Sequence, residues 1–211
     1  MKYSEIFKMI CSAKYKTAGD FVDYCVFFSE EDKKIYCLFE PSNQKRDWIN
    51  NFNFPVKLYK NQQNKFYVAR GWGNAYKSCN GLIMQEVIDL CHEKEFIQVV
   101  FAGWSYGGAL AQLAAEDFNF RTSLFPEVVT FGSPKPLFGK KSLEHFRYSV
   151  SECINLEHVN DCVPTLPPFA GYHCINSVKV GFFVPFGFFN PMKWHCRYFE
   201  EGLYEGLLLL E

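Results

Sequence analysis

The stretch Ile97 to Glu116, IQVVFAGWSYGGALAQLAAE, constrains the fold more than any other part of the chain. Ile97 to Ala102 reads as a buried strand of the kind found in parallel sheets covered on both faces. It stops at Gly103-Trp104-Ser105-Tyr106-Gly107, and a helix follows from Ser105 to Phe118. A sharp reversal from strand to helix leaves no room for side chains, which suits Gly103, Gly107 and Gly108. Ala109, Ala111, Ala114 and Ala115 let the helix lie close to a sheet. A serine at such a turn is the layout of a nucleophile elbow. The five-residue pattern alone arises by chance in roughly one sequence in twenty of this composition. The strand before it and the helix after it are what raise it above chance. The competing reading is an ordinary turn in which Ser105 caps the helix.

The remaining elements alternate around this unit. Met1 to Ala18 has helical spacing of Tyr3, Ile6, Phe7 and Ile10. Phe21 to Phe28 and Lys34 to Phe39 form two strands joined by the polar Ser29 to Lys33 turn. Glu40 to Phe54 is a loop with a short helix, and Val56 to Ala69 holds one or two weak strands. Asn74 to Glu93 is a helix. Glu127 to Phe131 is a strand closed by Gly132-Ser133-Pro134, and Lys140 to Ser149 is helical. Ile154 to Val159 is a strand, Val163 to Gly171 a proline-rich loop, and Cys174 to Val180 another strand. Gly181 to Met192 is an aromatic loop, and Arg197 to Leu210 a terminal helix. Strand and helix alternate through the centre without repeats or linkers. The expected fold is therefore α/β, a mostly parallel central sheet with helices on both faces, as one domain over residues 1–211.

Composition narrows the function. The formal charge of −1 gives no electrostatic reason to expect nucleic acid. The nine cysteines are scattered without metal-ligand spacing, and free thiols in a reducing compartment are the simplest reading. The first twenty residues lack an uninterrupted apolar segment, and no apolar run reaches about 18 residues. The expected location is cytoplasmic, with export by an unadvertised route left open.

A serine nucleophile needs a base, an acid to orient the base, and donors for an oxyanion. In elbow folds the acid follows a later strand and the histidine comes last. Asp161 lies directly after the strand at Ile154 to Val159; its competing reading is a turn cap ahead of Pro164. His173 and His195 both follow Asp161. His195, in Trp194-His195-Cys196 just before the terminal helix, is preferred to His173 in the segment GYHC. His92, His145 and His158 precede the acid, and surface or core roles suffice for them. One oxyanion donor is the Tyr106 N–H; the second comes from the loop after IYCLF. Pro41 has no N–H, so Ser42 is the candidate.

On these residues the chain resembles the class 3 (fungal-type) triacylglycerol lipases, members of the α/β-hydrolase superfamily. FEPSNQKRDWINNF is similar to their FRG[ST]xxxxDWxxN, RGWGNAY to xxGFxxAY, and VVFAGWSYGGALAQLAA to VTGHSLGGALAxLAA. VVTFGSPKP is similar to TFGSPRVGN, and NDCVPTLPP with GYHC to NDxVPxLPP followed by YxH. The match runs from about Phe39 to Cys174. It implies Ser105 as nucleophile, Asp161 as acid and Ser42 as the oxyanion-hole serine. It also implies a base on a late loop, where His195 fits and His173 takes the non-catalytic YxH position. It departs from the pattern at Trp104, where the family has histidine, and at Glu40-Pro41, where it has arginine and glycine. The interval from acid to histidine is short.

The resemblance implies a serine hydrolase cleaving carboxylic esters without a cofactor or metal. Its substrates would be acylglycerols or phospholipid acyl chains, met at a membrane or lipid-droplet surface. It also suggests a lid at Gln44 to Phe54, where Trp48, Ile49, Phe52 and Phe54 alternate with polar residues. A two-faced helix of this kind can cover an apolar pocket in water and turn toward lipid. Its competing reading is a fixed surface helix. The phenylalanines between Phe182 and Phe189 would line an acyl groove or serve as core. Two rival functions remain: an esterase for small soluble esters, and a catalytically silent lipid-binding module.

Overall fold

The computed structural model describes residues 2–19, 22–41, 53–61, 64–95, 98–181, 183, 185 and 194–195. The expected lid but for Asn53 and Phe54, Ser42, most of the aromatic loop and the expected terminal helix lie outside them. The elements in chain order are α1 (Tyr3–Ser12), β1 (Lys16–Ala18), β2 (Val22–Ser29), β3 (Lys34–Phe39), β4 (Val56–Asn61) and β5 (Asn64–Ala69). Then come α2 (Arg70–Glu93), β6 (Gln98–Trp104), α3 (Tyr106–Thr122), β7 (Glu127–Phe131), β8 (Leu137–Phe138) and α4 (Lys140–Tyr148). The last are β9 (Glu152–His158), a short 3-10 turn (Val163–Thr165), β10 (Tyr172–His173) and β11 (Ser177–Val180).

The central sheet has the order β1-β2-β3-β6-β7-β9-β11. The β1–β2 and β2–β3 pairings are antiparallel, and every pairing from β3 through β6, β7 and β9 to β11 is parallel. The register places Phe39 opposite Gly103, Trp104 opposite Phe131, and Phe131 opposite Leu156. The carboxyl ends of β3, β6, β7 and β9 therefore share one edge, where open α/β sheets build their sites.

Alternation along the strands supplies the two faces. Ile35, Cys37, Phe39, Val99 and Phe101 join the larger core with α2 and α3. Tyr36, Leu38, Val100, Ala102 and Trp104 join Ile6, Phe7 and Ile10 of α1 in a second core. The α/β-hydrolase architecture with helices on both faces is thus present. Helix α3 is buried almost all round, so its polar residues need partners. Glu116 meets His145 at 2.8 Å, and Asp117 accepts from Arg121, Tyr76 and Asn80.

Several boundaries differ from the sequence reading. The first helix ends at Ser12, and Lys16–Ala18 form an edge strand instead of continuing it. Helix α2 begins at Arg70, four residues before the expected start. Gly71 and Gly73 weaken helix propensity there, but Trp72 is buried, and a Cβ at Gly73 would come within 2.7 Å of Val68. Close packing on β5 decides that start. The expected Cys174 to Val180 strand is shorter, beginning at Ser177. Tyr172 and His173 pair with β8 in a second, antiparallel sheet of order β10-β8-β5-β4, and only Ser177–Val180 joins the main sheet.

Candidate active site

Ser105 sits between β6 and α3 with φ 56° and ψ −123°. A positive φ is strained for a serine and persists only where the surroundings impose it. Here the Ser105 N–H donates to the Phe131 carbonyl at 2.9 Å, and its own carbonyl accepts from Gly108 at 3.0 Å. Without a Cβ, Gly103 clears the backbone of Gly107 and Gly108. Tyr106 opens α3, so its N–H lies in the first turn, where donors are not consumed by the helix's own ladder.

Asp161 follows β9 and is buried. Its Oδ1 accepts the Val163 N–H at 2.9 Å, and its own N–H donates to the His158 carbonyl at 2.9 Å. Its Oδ2 lies 2.8 Å from Nδ1 of His195, which is also buried. With the carboxylate accepting at Nδ1, the imidazole keeps its proton there and presents a lone pair at Nε2. That Nε2 is buried and has no hydrogen-bond partner among the described residues. His195 lies beside the elbow, because the indole of Trp104, next to Ser105, packs on the His195 ring at 5.6 Å. Gly132 completes the arrangement. Its φ is +53°, and a Cβ there would stand 2.7 Å from Asp161 Oδ2 and 3.2 Å from His195 Nδ1.

The alternative base is placed elsewhere. His173 is on the second sheet, paired with Leu137. Burial, and then the charges of Lys135, Lys140 and Arg147, push its pKa below that of an ordinary imidazole. Its electrostatic neighbours are cations, whereas an orienting acid would be an anion. Of the sequence-predicted set, the structure pairs Asp161 with His195 and sets the His195 ring against Trp104, the residue before Ser105 and Tyr106, while Ser105 Oγ makes no hydrogen bond to His195 Nε2. Ser42 lies outside the described residues, although Phe39, Glu40 and Pro41 lead up to it. Phe54, at the end of the expected lid, is half-buried against Trp72 and Phe169.

A buried polar brace behind the elbow was not foreseen. Asn155 accepts through Oδ1 from Thr130 at 2.9 Å and from the Ser133 N–H at 3.0 Å. Gln112 of α3 donates to Ser133 Oγ at 2.9 Å, and a Cβ on Gly108 would meet Ser133 at 2.7 Å. The brace ties β7 and β9 to the helix that begins after Ser105. Removing the shared acceptor orphans the buried Ser133 N–H, at about 1–3 kcal/mol, leaves Thr130 only the longer bond to the Ile154 carbonyl at 3.4 Å, and empties the space the amide fills. Asn155→Ala is therefore expected to lower the unfolding free energy by about 2–4 kcal/mol, read as a drop in the urea midpoint. A midpoint unchanged from wild type would remove the brace from this account.

Comparison with known proteins agrees with the geometry. A model of the family described as lipase (class 3) matches residues 36–171. Among solved structures, the chain is similar to the Rhizomucor miehei lipase in its propeptide complex, with TM-score 0.70 and 24% identity over 79% of this chain and 55% of that one. It is similar to lipase II from Rhizopus niveus, with TM-score 0.69 and 24% identity over 79% of this chain and 64% of that one. A third structure, of a triacylglycerol lipase whose catalytic centre is described as a serine protease triad, gives TM-score 0.72 and 23% identity over 80% of this chain and 66% of that one. At these identities the likeness concerns the fold, and the chain spans between 55% and 66% of the length of those proteins. With a family match that spans residues 36–171, more than half of its length, the chain belongs to the class 3 lipases.

Proposed function

We propose that this protein is a serine hydrolase of carboxylic esters, acting on acylglycerols or phospholipid acyl chains. The observation that carries the reading is the buried Asp161–His195 pair at 2.8 Å beside a strained Ser105. His195 Nε2 takes the proton from Ser105 Oγ as that oxygen attacks the ester carbonyl. Asp161 holds the tautomer and stabilises the imidazolium that forms. The N–H groups of Tyr106 and Ser42 receive the oxyanion. The alcohol leaves with the proton from His195, and a water activated by the same imidazole then hydrolyses the acyl-enzyme. The substrate class follows that of the triacylglycerol lipase sharing the fold, and contact with a lipid surface during turnover belongs to the same reading.

A fluorophosphonate probe tests this directly, because it reacts only with an activated serine. One adduct per folded chain is expected, on Ser105, with parallel loss of p-nitrophenyl ester hydrolysis. A folded sample that neither labels nor hydrolyses would leave a silent lipid-binding module. Turnover that does not rise when the substrate forms micelles would point to small soluble esters.

A further inference from the structure

Asp161 holds one atom of the imidazole. A single bond at Nδ1 still lets the ring rock about Cβ–Cγ, a torsion with broad wells. The residue also needs its backbone held, since the aim of Nε2 depends on both. We propose that Trp104 and Trp194 are positioning residues for His195. The proposal rests on the assignment of His195 as the base.

Trp104 is the last residue of β6, and its indole is buried. One side packs on the His195 ring, with centroids 5.6 Å apart and planes tilted by 38°. Elsewhere it meets Phe7 of α1 edge-on at 5.8 Å, and Phe7 in turn packs on Phe131 at 4.8 Å. The indole is therefore backed by the second core. Gly132 approaches the same imidazole, since a Cβ there would lie 3.2 Å from both Cε1 and Nδ1. Glycine backbone and indole restrict how far the ring can turn.

Trp194 fixes the backbone. It stacks on His158 with centroids 5.0 Å apart and planes 13° from parallel. His158 ends β9, its carbonyl accepts the Asp161 N–H, and its Nδ1 accepts the Asn160 N–H at 3.1 Å. The stack thus ties the residue before the base to the turn that carries the acid. Acid and base are set by one unit even though 34 residues separate them in the chain. The family pattern has histidine where this chain has Trp104, so the indole brace is a departure with a role.

The test compares alanine and phenylalanine at each position. Trp104→Ala and Trp194→Ala are expected to lower kcat by about tenfold to a hundredfold, with KM within about threefold of wild type. Trp104→Phe and Trp194→Phe, which keep a flat ring, should recover most of the loss. Circular dichroism and thermal midpoints establish that each variant is folded. Proton NMR gives a readout that needs no turnover: the Nδ1–H of His195, shifted to low field by Asp161, should broaden in the alanine variants and stay sharp in the phenylalanine variants. Folded alanine variants with wild-type kcat and a sharp resonance would overturn the proposal. So would losses that merely track the folded fraction. If the wild-type protein hydrolyses no ester, the functional reading fails, and the resonance alone still decides whether the two indoles hold the imidazole.

Discussion

Replacing Ser105 with alanine is expected to lower kcat about a millionfold, and His195→Ala should do nearly the same. The double variant should be no worse than either single one. That non-additivity is the sharper part of the prediction. If nucleophile and base act as one unit, removing either leaves the other with nothing to do, so their losses cannot multiply. What survives is the contribution of the oxyanion donors and of binding, which can still amount to about 10³–10⁴ over water. The geometry motivates it: the Asp161–His195 pair, the Phe131 carbonyl that receives the Ser105 N–H, and the Trp104 contact all gather at one sheet edge. The measurement is steady-state hydrolysis of a p-nitrophenyl ester by the four proteins. Multiplicative losses, or a Ser105→Ala variant with wild-type turnover, would show that the two residues do not form a catalytic unit.

The elbow was legible in the sequence because its causes are local. A β-strand, a glycine-lined turn and an alanine-rich helix need only neighbours in the chain to declare themselves. Asp161 was legible for a similar reason, since it directly follows a recognisable strand. The choice between the two late histidines was harder. His173 and His195 both follow Asp161, and what separates them is that His195 meets Asp161 at 2.8 Å while His173 pairs with β8 in the second sheet. Two-residue strands such as β8 and β10 have no periodicity to read, so the pairing of Tyr172 and His173 in a second sheet depended on contacts made elsewhere. Asn155, Ser133 and Gln112 were invisible for the same reason. Each looks like an ordinary polar residue until the fold places them together in a buried site, where an unmet donor becomes expensive. Trp104 stood out as a departure from the family pattern, but its meaning depended on Phe7 and His195, far away in the chain.

Gly107→Ala is expected to destabilise the protein by more than about 4 kcal/mol, a large part of the 5–15 kcal/mol typical of a whole domain. A Cβ at this position would run into the Phe39 carbonyl oxygen and come within 2.9 Å of that of Glu40. Both are backbone atoms, so no rotamer change can relieve the clash. Phe39 is also locked opposite Gly103 in the parallel β3–β6 pairing. Relief would require either breaking that register or moving the first turn of α3, which carries Tyr106 and adjoins Ser105. The same close approach brings Glu40 toward the turn that carries Ser105, so the glycine serves the candidate site as well as the fold. Gly81 provides the control. It lies on the exposed face of α2, where an added Cβ would have no neighbour within 4 Å, and Gly81→Ala should stabilise by about 0.5–1 kcal/mol through helix propensity. One substitution type, at two helical glycines, is therefore expected to act with opposite signs. Urea unfolding of both variants decides it: a Gly107→Ala midpoint close to wild type would mean that α3 and β3 can separate at little cost, and that the approach of Glu40 to the Ser105 turn is not set by this residue.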